Sequence, residues 1–153
     1  MTTKDRNFDP ERFVREAYAT AERMDLEGWK SRFADDGVFV DNSIGVTYSG
    51  RKDLDYPVRQ YGAAFSDMHR ELYDFWTVGQ TVLVRLALQG THDGPLETPF
   101  GTIAPTGNKM DAPCADIFDL ENGKIKKFDC YPEGSVILAQ LGVIMNLGAA
   151  VNG

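Results

Sequence analysis

Asp116 is an acidic residue in a position where a carboxylate is unusual, within a stretch that predicts a β-hairpin. A β-rich run leads into Asn122-Gly123, a strong signal for a two-residue hairpin turn, and a second run leaves it. Asp116 has the strand parity of Cys114 and Phe118, so the three side chains are expected on one face. Burying a carboxylate there is costly unless it is paired or used for chemistry. Asp116 is therefore a candidate general acid or base, the alternative being an exposed strand residue.

The length of the hairpin turn decides which residue lies opposite Asp116. If Asn122-Gly123 forms a two-residue turn, Glu121 pairs with Lys124, and Asp116 then faces Asp129. Two close carboxylates would raise the pKa of one of them. A longer turn would place Phe128 opposite Asp116 instead.

Three further residues carry groups that could donate, accept or hold a proton. Tyr18 lies on an apolar helical stripe, where a tyrosine is ordinarily part of the core with its hydroxyl satisfied. Asp41 follows a short hydrophobic strand, a position where acidic residues also cap loops. His92 has the parity of the apolar residues of the preceding strand if no bulge intervenes, and it is a candidate proton carrier. The alternative for His92 is a structural histidine at the start of a loop, with its hydrogen bonds made within the protein.

Composition narrows the class of protein. The chain has 153 residues and a net charge of −7 without a basic cluster, so nucleic acid and anionic membranes are not expected partners. No apolar run has the length of a membrane span and the start is not a signal peptide, which makes a cytoplasmic location the default expectation. Two cysteines and two histidines give neither a disulfide framework nor a structural zinc site, and no phosphate-binding glycine loop is present. The functions that the composition leaves open are acid–base catalysis without a cofactor or metal and simple binding of a ligand.

The periodicity of the sequence predicts a single α+β domain over residues 1–153, with helices first and most strands together. The predicted elements are, in order, a loose tail at 1–8, a helix from Asp9-Pro10 to Met24-Asp25, a short helix capped by Asp25, a turn at 34–37, a strand at 38–42, a loop at 43–50, a helix from Asp53 to about Phe65, strands at 68–77 and 81–91, a long loop at 93–108, the hairpin, and an apolar, partly helical segment within 135–153. A bent sheet wrapped around helices would leave an apolar cone open at one end, a shape that favours a small hydrophobic ligand.

Several short motifs occur in an order that resembles the SnoaL-like proteins of the nuclear-transport-factor-2-like superfamily. They are Gly28-Trp29, Phe33-Ala34-Asp35-Asp36, Ser66-Asp67-Met68-His69, Gly90-Thr91-His92-Asp93-Gly94, Ala104-Pro105-Thr106-Gly107, Asp116-Ile117-Phe118, Asn122-Gly123-Lys124-Ile125 and Gln140-Leu141-Gly142. The resemblance covers residues 10 to 142. It implies a cone-shaped α+β barrel with N-terminal helices packed in a strongly curved, mostly antiparallel sheet.

The resemblance also implies site residues. SnoaL-like cyclases close a ring by aldol chemistry without metal or cofactor, and their acid–base aspartate corresponds to Asp116, with His92 as the candidate assisting histidine. The ketosteroid isomerases of the same superfamily use a Tyr, an Asp and a second Asp, which correspond to Tyr18, Asp41 and Asp116. The loop at 93–108 and the Gly90-Thr91-His92 motif resemble the cyclases rather than the isomerases.

The sequence thus predicts a cofactor-independent acid–base enzyme that acts next to a carbonyl of a small hydrophobic substrate, as an aldol cyclase or an isomerase. Epoxide hydrolysis, a third chemistry of the superfamily, is less favoured because Arg85 has the wrong parity to share a face with His92. The alternative is a non-catalytic domain for small-ligand binding or dimerisation. An exposed sheet face and the apolar C-terminal segment predict a homodimer.

Overall fold

A computed structural model describes residues 7–143 and Val151. Its elements are α1 (Pro10–Glu22), α2 (Leu26–Ser31), β1 (Phe33–Asp41), β2 (Val46–Ser49), α3 (Tyr56–Ala64), β3 (His69–Val78), β4 (Thr81–Thr91), β5 (Leu96–Thr98), β6 (Gly101–Ile103), β7 (Lys109–Glu121), β8 (Lys124–Pro132) and α4 (Gly134–Gln140). None of the helices in the described part of the chain is long and apolar enough to cross a membrane.

Six strands form one sheet in the order β2-β1-β8-β7-β4-β3, and β5 and β6 form a separate hairpin. β1 and β8 run parallel, and the other neighbours in the large sheet are antiparallel. The helices pack against this strongly curved sheet, so the predicted α+β fold is confirmed. The sheet is open rather than closed into a full barrel, because β2 and β3 are its edges.

The first two helices begin where the sequence predicts. Asp9 caps α1 by accepting a hydrogen bond from the Arg12 N–H at 3.2 Å, and Pro10 occupies the first turn, where its missing N–H costs nothing. Asp25 caps α2 by accepting from the Gly28 N–H at 2.9 Å. The caps set where the helices begin, and the apolar stripe of α1, including Tyr18, is buried in the core.

The core on the inner face of the sheet is built largely from aromatic rings. Phe118 is fully buried, and its ring centroid lies 4.4 Å from that of Phe128 and 5.5 Å from that of Tyr18. Trp29 of α2 contacts Phe39 and Phe128, which links the second helix to β1 and β8. These contacts fix the position of α1 relative to β7, the strand that carries Asp116.

Several boundaries differ from the sequence predictions. Residues 34–37, expected as a turn, lie within β1, whose parallel register with β8 is irregular between Phe33 and Val38. The expected loop at 43–50 contains β2, and the loop at 93–108 contains the β5–β6 hairpin. α3 begins at Tyr56 rather than Asp53. β2, β5 and β6 have only three or four residues each and pair in local hairpins, and strands this short show too little alternation for periodicity to detect.

The two ends of the chain were predicted as a tail and an apolar segment. Residues 1–6 of the tail lie outside the described residues, and Phe8 packs against the ring of Phe13 at a centroid distance of 5.6 Å. In the C-terminal segment, α4 is helical and Leu141 is buried, whereas 144–150 and 152–153 lie outside the described residues.

Neither of the residues predicted to lie opposite Asp116 is found there. The turn has two residues, since Glu121 pairs with Lys124, but a bulge follows: Leu120 pairs with Ile125 and Asp119 with Lys127. The extra residue, Lys126, shifts all later pairs by one position, so Cys130 lies opposite Asp116. The predictions of Asp129 or Phe128 at this position are therefore wrong.

We expect Phe118→Ala to lower the free energy of unfolding by about 3–5 kcal/mol, because it removes a fully buried ring and leaves a cavity. Tyr131→Ala is the matched control, since this aromatic residue is 44% exposed on β8 and its loss should cost much less. Urea denaturation of both variants measures the difference. Equal losses would contradict the packing described for the inner face.

Candidate active site

A cavity of about 790 Å³ opens between the inner face of the sheet, α3, the β5–β6 hairpin and α4. Much of its wall is apolar and aromatic, with contributions from Trp29, Phe39, Phe65, Leu88, Met110 and Phe128. Tyr18, Asp41, Arg70 and Asp116 place polar groups in the same wall. A mostly apolar concave site with a few convergent polar groups is the usual form of a small-molecule site.

Asp116 and Tyr18 form a buried pair at this cavity. The Tyr18 hydroxyl donates a hydrogen bond to Asp116 Oδ2 at 2.5 Å, and each residue is only 3% exposed. The Tyr18 ring is held edge-on by Phe75 and Phe118. The pair joins α1 to β7, so two predicted site residues that are 98 positions apart in the sequence meet in the structure.

Two thiols lie beside the same carboxylate. Cys114 Sγ is 3.4 Å from Asp116 Oδ1 and 3.9 Å from Cys130 Sγ, and both cysteines are free. Hence Oδ1 accepts from a thiol while Oδ2 accepts from Tyr18. The two oxygens are held by different donors, which fixes the orientation of the carboxylate.

Burial raises the pKa of Asp116 from 3.8 to about 6. Hydrogen bonds from Tyr18, Cys130 and Cys114 and the charge of Arg70 act in the opposite direction, since they stabilise the charged form. A carboxyl group with a pKa near the working pH is suited to both accepting and returning a proton.

Burial, reinforced by the Asp116 charge, raises the pKa of Tyr18 well above 10. Tyr18 therefore keeps its proton and acts as the donor in the pair. Its hydroxyl is the nearest strong donor to Asp116 in the described part of the chain.

Asp41 belongs to the same face of the sheet as Asp116. It pairs with Cys130 across β1 and β8, and Cys130 pairs with Asp116 across β8 and β7. Two strand spacings of about 4.8 Å put Asp41 and Asp116 roughly 10 Å apart along this row. Asp41 Oδ1 also accepts from Ser43 N–H at 3.0 Å and Ser43 Oγ at 2.6 Å, so the residue caps its loop as well as lining the cavity.

His92 lies outside the lining of the cavity. It is fully buried directly after β4, and its Nδ1 accepts a hydrogen bond from the Thr106 N–H at 3.2 Å, while its ring packs on Phe65. Its backbone N–H donates to Asn108 and its carbonyl accepts from Gly107. In the described residues His92 neither lines the cavity nor hydrogen-bonds to Asp116, and it ties the end of β4 to the 106–108 segment.

Two residues of the site were not singled out from the sequence. Cys130 was displaced from its expected register by the bulge at Lys126. Arg70 lies on the inner face of β3, opposite Leu88, and its side chain is 10% exposed. The signal for Arg70 was its strand parity with Leu72, which places an arginine on the apolar side of the strand.

Sulfur and oxygen atoms of Cys114, Asp116 and Cys130 lie within 4.8 Å of one another, close enough to surround a metal ion. Thiols bind metals as thiolates. The hydrogen bond with Cys114 and burial raise the pKa of Cys130 well above 9, which opposes loss of this proton. The cluster is therefore better suited to hydrogen bonding with the carboxylate than to holding a metal.

The wild type is expected to lose folding stability as the pH rises, and Asp116→Asn should abolish this loss. Because the folded-state pKa is raised, the protonated form is favoured in the fold, and stability is lost as the pH rises from about 4 through about 6. At about 1.4 kcal/mol per pKa unit, the free energy of unfolding of the wild type should fall by about 3 kcal/mol relative to Asp116→Asn over this range. Urea denaturation at several pH values measures this, and a difference that does not change with pH would refute the raised pKa.

The comparisons with known proteins agree with this fold. A family model described as a SnoaL-like domain matches residues 14–128. No curated protein matches the chain in sequence.

Solved structures supply three informative relatives. A protein from Jannaschia sp. CCS1 classed as a SnoaL-like polyketide cyclase has a TM-score of 0.79 and 14% identity, over 95% of this chain and 99% of that chain. IdmH from Streptomyces antibioticus, classed as a polyketide cyclase, has a TM-score of 0.71 and 24% identity, over 89% and 100%. A protein with a ketosteroid isomerase-like fold from Catenulispora acidiphila DSM 44928, in complex with trimethylamine, has a TM-score of 0.72 and 22% identity, over 94% and 96%.

At these identities the solved structures establish a shared fold and no more. The family model is the stronger finding, because it spans most of the chain and includes both Tyr18 and Asp116. The chain belongs to the SnoaL-like domain family.

Proposed function

We propose that this protein is a cofactor-independent acid–base enzyme that acts on the carbon next to a carbonyl group in a small hydrophobic substrate. The observation that carries the proposal is the buried Tyr18–Asp116 pair in the wall of a large apolar cavity. A carboxyl group with a raised pKa, beside a hydroxyl that keeps its proton, supplies both a base and a hydrogen-bond donor.

In the proposed reaction, the Asp116 carboxylate takes a proton from the substrate carbon next to the carbonyl. The electron pair of the broken C–H bond moves to the carbonyl oxygen and gives an enolate. Protonation makes Asp116 a weaker acceptor, so the Tyr18 hydroxyl is released to donate to the enolate oxygen instead. The apolar wall excludes water and strengthens this interaction.

The enolate has two possible fates, and in each of them Asp116 gives back the proton that it took. In aldol closure, the enolate carbon bonds to a second carbonyl of the same molecule, and the resulting alkoxide takes the proton back from Asp116. In isomerisation of an unsaturated ketone, Asp116 returns the proton to a different carbon of the conjugated system. The polyketide cyclases among the structural relatives support the first outcome as the leading candidate.

We expect Asp116→Asn to lower turnover by at least 100-fold, because positioned acid–base groups contribute factors of about 10²–10⁴. Asp111→Asn is the matched control, since this aspartate is exposed on the same strand and points to the other side. A screen of keto-steroids and polyketide-like ketones, followed by steady-state kinetics, measures both. Full turnover by Asp116→Asn on a substrate of the wild type would refute the proposed base.

Tyr18→Phe should move the pH dependence of turnover. Removing the hydroxyl removes a hydrogen bond that lowers the pKa of Asp116, so that pKa should rise above about 6. The base is active when deprotonated, and therefore the rise of kcat/KM with pH should occur at higher pH than in the wild type. An unchanged pH profile in Tyr18→Phe would argue against direct coupling of the two groups.

The alternative is a domain of the same fold that binds a small ligand in this cavity without turnover. The size and apolar lining of the cavity favour binding in either case. Tight binding of ketones without any conversion across the screen would favour this alternative.

The homodimer also remains a prediction. Trp76, Leu83 and Ile117 pair in line across β3, β4 and β7 on the outer face, and none of them belongs to the buried core. Trp76 is 53% exposed in the single chain. Such a row is a candidate surface for a second copy of this chain.

A further inference from the structure

We propose that the substrate carries a carboxylate, separate from the reacting carbonyl, and that Arg70 binds this carboxylate at the wall of the cavity. The inference deepens the proposed function and rests on it, because it describes the substrate of the same site. It follows from the position, the partners and the free donors of one guanidinium group.

Arg70 is the one basic side chain among the described residues that line the cavity. It is 10% exposed and lies on the inner face of β3, in a wall that otherwise consists largely of apolar and aromatic groups. Burying a guanidinium in such surroundings is costly unless the group is paired with an anion and hydrogen-bonded. An arginine at this position therefore needs a partner for its charge.

Within the protein, Glu22 is the acidic residue that pairs with Arg70, and it balances the charge of Arg70 only in part. Arg70 Nη1 lies 3.3 Å from Glu22 Oε1 and 3.6 Å from Met68 Sδ, and the guanidinium carbon lies 4.8 Å from the centre of the Tyr61 ring. Glu22 is shared, since Oε1 also accepts from the Arg70 backbone N–H at 2.7 Å and Oε2 lies 3.2 Å from His69 Nδ1. The charge of Glu22 is thus divided among several donors.

The remaining nitrogens of Arg70 point to the class of ligand. In the part of the chain that the structure describes, the side-chain hydrogen bonds of Arg70 come from Nη1, which leaves Nε and Nη2 for a ligand. These two nitrogens form one edge of the guanidinium plane, and that edge matches the two oxygens of a carboxylate. A neutral carbonyl oxygen would use this edge less fully and would leave the shared Glu22 as the anionic partner of Arg70.

The strand register separates the two ends of the substrate. Arg70 pairs with Leu88, and Leu88 pairs with Ala112, which is four residues before Asp116 on β7. Four residues correspond to roughly 13 Å along a strand. The long side chain of Arg70 shortens this backbone separation, since its charge still acts on Asp116. The carboxylate and the reacting carbonyl therefore occupy different positions along the sheet within one cavity.

The test compares two probes that differ in charge: naphthalene-2-carboxylate and naphthalene-2-carboxamide, titrated by calorimetry against the full chain. We expect the wild type to bind the carboxylate at least tenfold more tightly than the amide. Arg70→Gln should lose this preference. Arg85→Gln is the matched control and should keep it, because Arg85 is exposed and pairs with Asp74.

A second variant separates charge recognition from a merely structural role. Glu22→Gln keeps an acceptor for the Arg70 backbone N–H but removes the competing negative charge, so its preference for the carboxylate should increase severalfold. A structural role for the ion pair would instead weaken binding of both probes in Glu22→Gln and Arg70→Gln alike. Equal binding of the two probes by the wild type, or an unchanged preference in Arg70→Gln, would overturn the inference.

The binding test does not depend on turnover. Asp116→Asn should keep the preference for the carboxylate, because it removes a negative charge from the cavity wall. Failure of the chemistry at Asp116 and failure of the anion site at Arg70 therefore give different results.

Discussion

The cost of burying the Asp116 carboxylate is the constraint on which the rest of the site depends. A charged group with 3% exposure must be compensated, and three donors surround it, namely the Tyr18 hydroxyl and the thiols of Cys114 and Cys130. The compensation is incomplete, which is why the pKa remains at about 6. An aspartate whose charge was fully compensated by donors would have a low pKa and would be a weak base. A buried aspartate without donors would stay protonated.

The scaffold supports this balance by holding the donors in place. Tyr18 is held against Asp116 by the contacts of its ring with Phe75 and Phe118. Loss of packing at Phe118 would therefore affect both the stability of the fold and the position of the Tyr18 hydroxyl that donates to Asp116. Core and site are built from the same rings.

The sequence predicted those features that depend on local pattern. Strand parity placed Asp116 on the buried face of β7, and helical spacing placed Tyr18 on the buried stripe of α1. The parallel pairing of β1 with β8 was missed, because it depends on contact between distant segments. The β5–β6 hairpin was missed because its strands are too short for a clear alternation, and the inward position of Arg70 was present in the strand parity but was not recognised. The parity argument for His92 predicted burial correctly, but a residue beyond the end of β4 is positioned by its loop, and Thr106 and Asn108 hold it there.

The bulge at Lys126 has a consequence for the number of acidic groups at the site. If Lys126 were paired with Asp119 in a regular ladder, Asp129 would lie opposite Asp116. With Lys126 in the bulge, Asp129 pairs with Ile117, and Asn42 and Lys127 contact its carboxylate. Asp116 is thereby spared a second carboxylate directly across the ladder. Deletion of Lys126 itself would leave a regular ladder with Cys130 still opposite Asp116, whereas a change that draws Lys126 into the ladder would bring Asp129 opposite Asp116. The conformation of the bulge, and not the length of the hairpin, therefore sets how many carboxylates this part of the site holds.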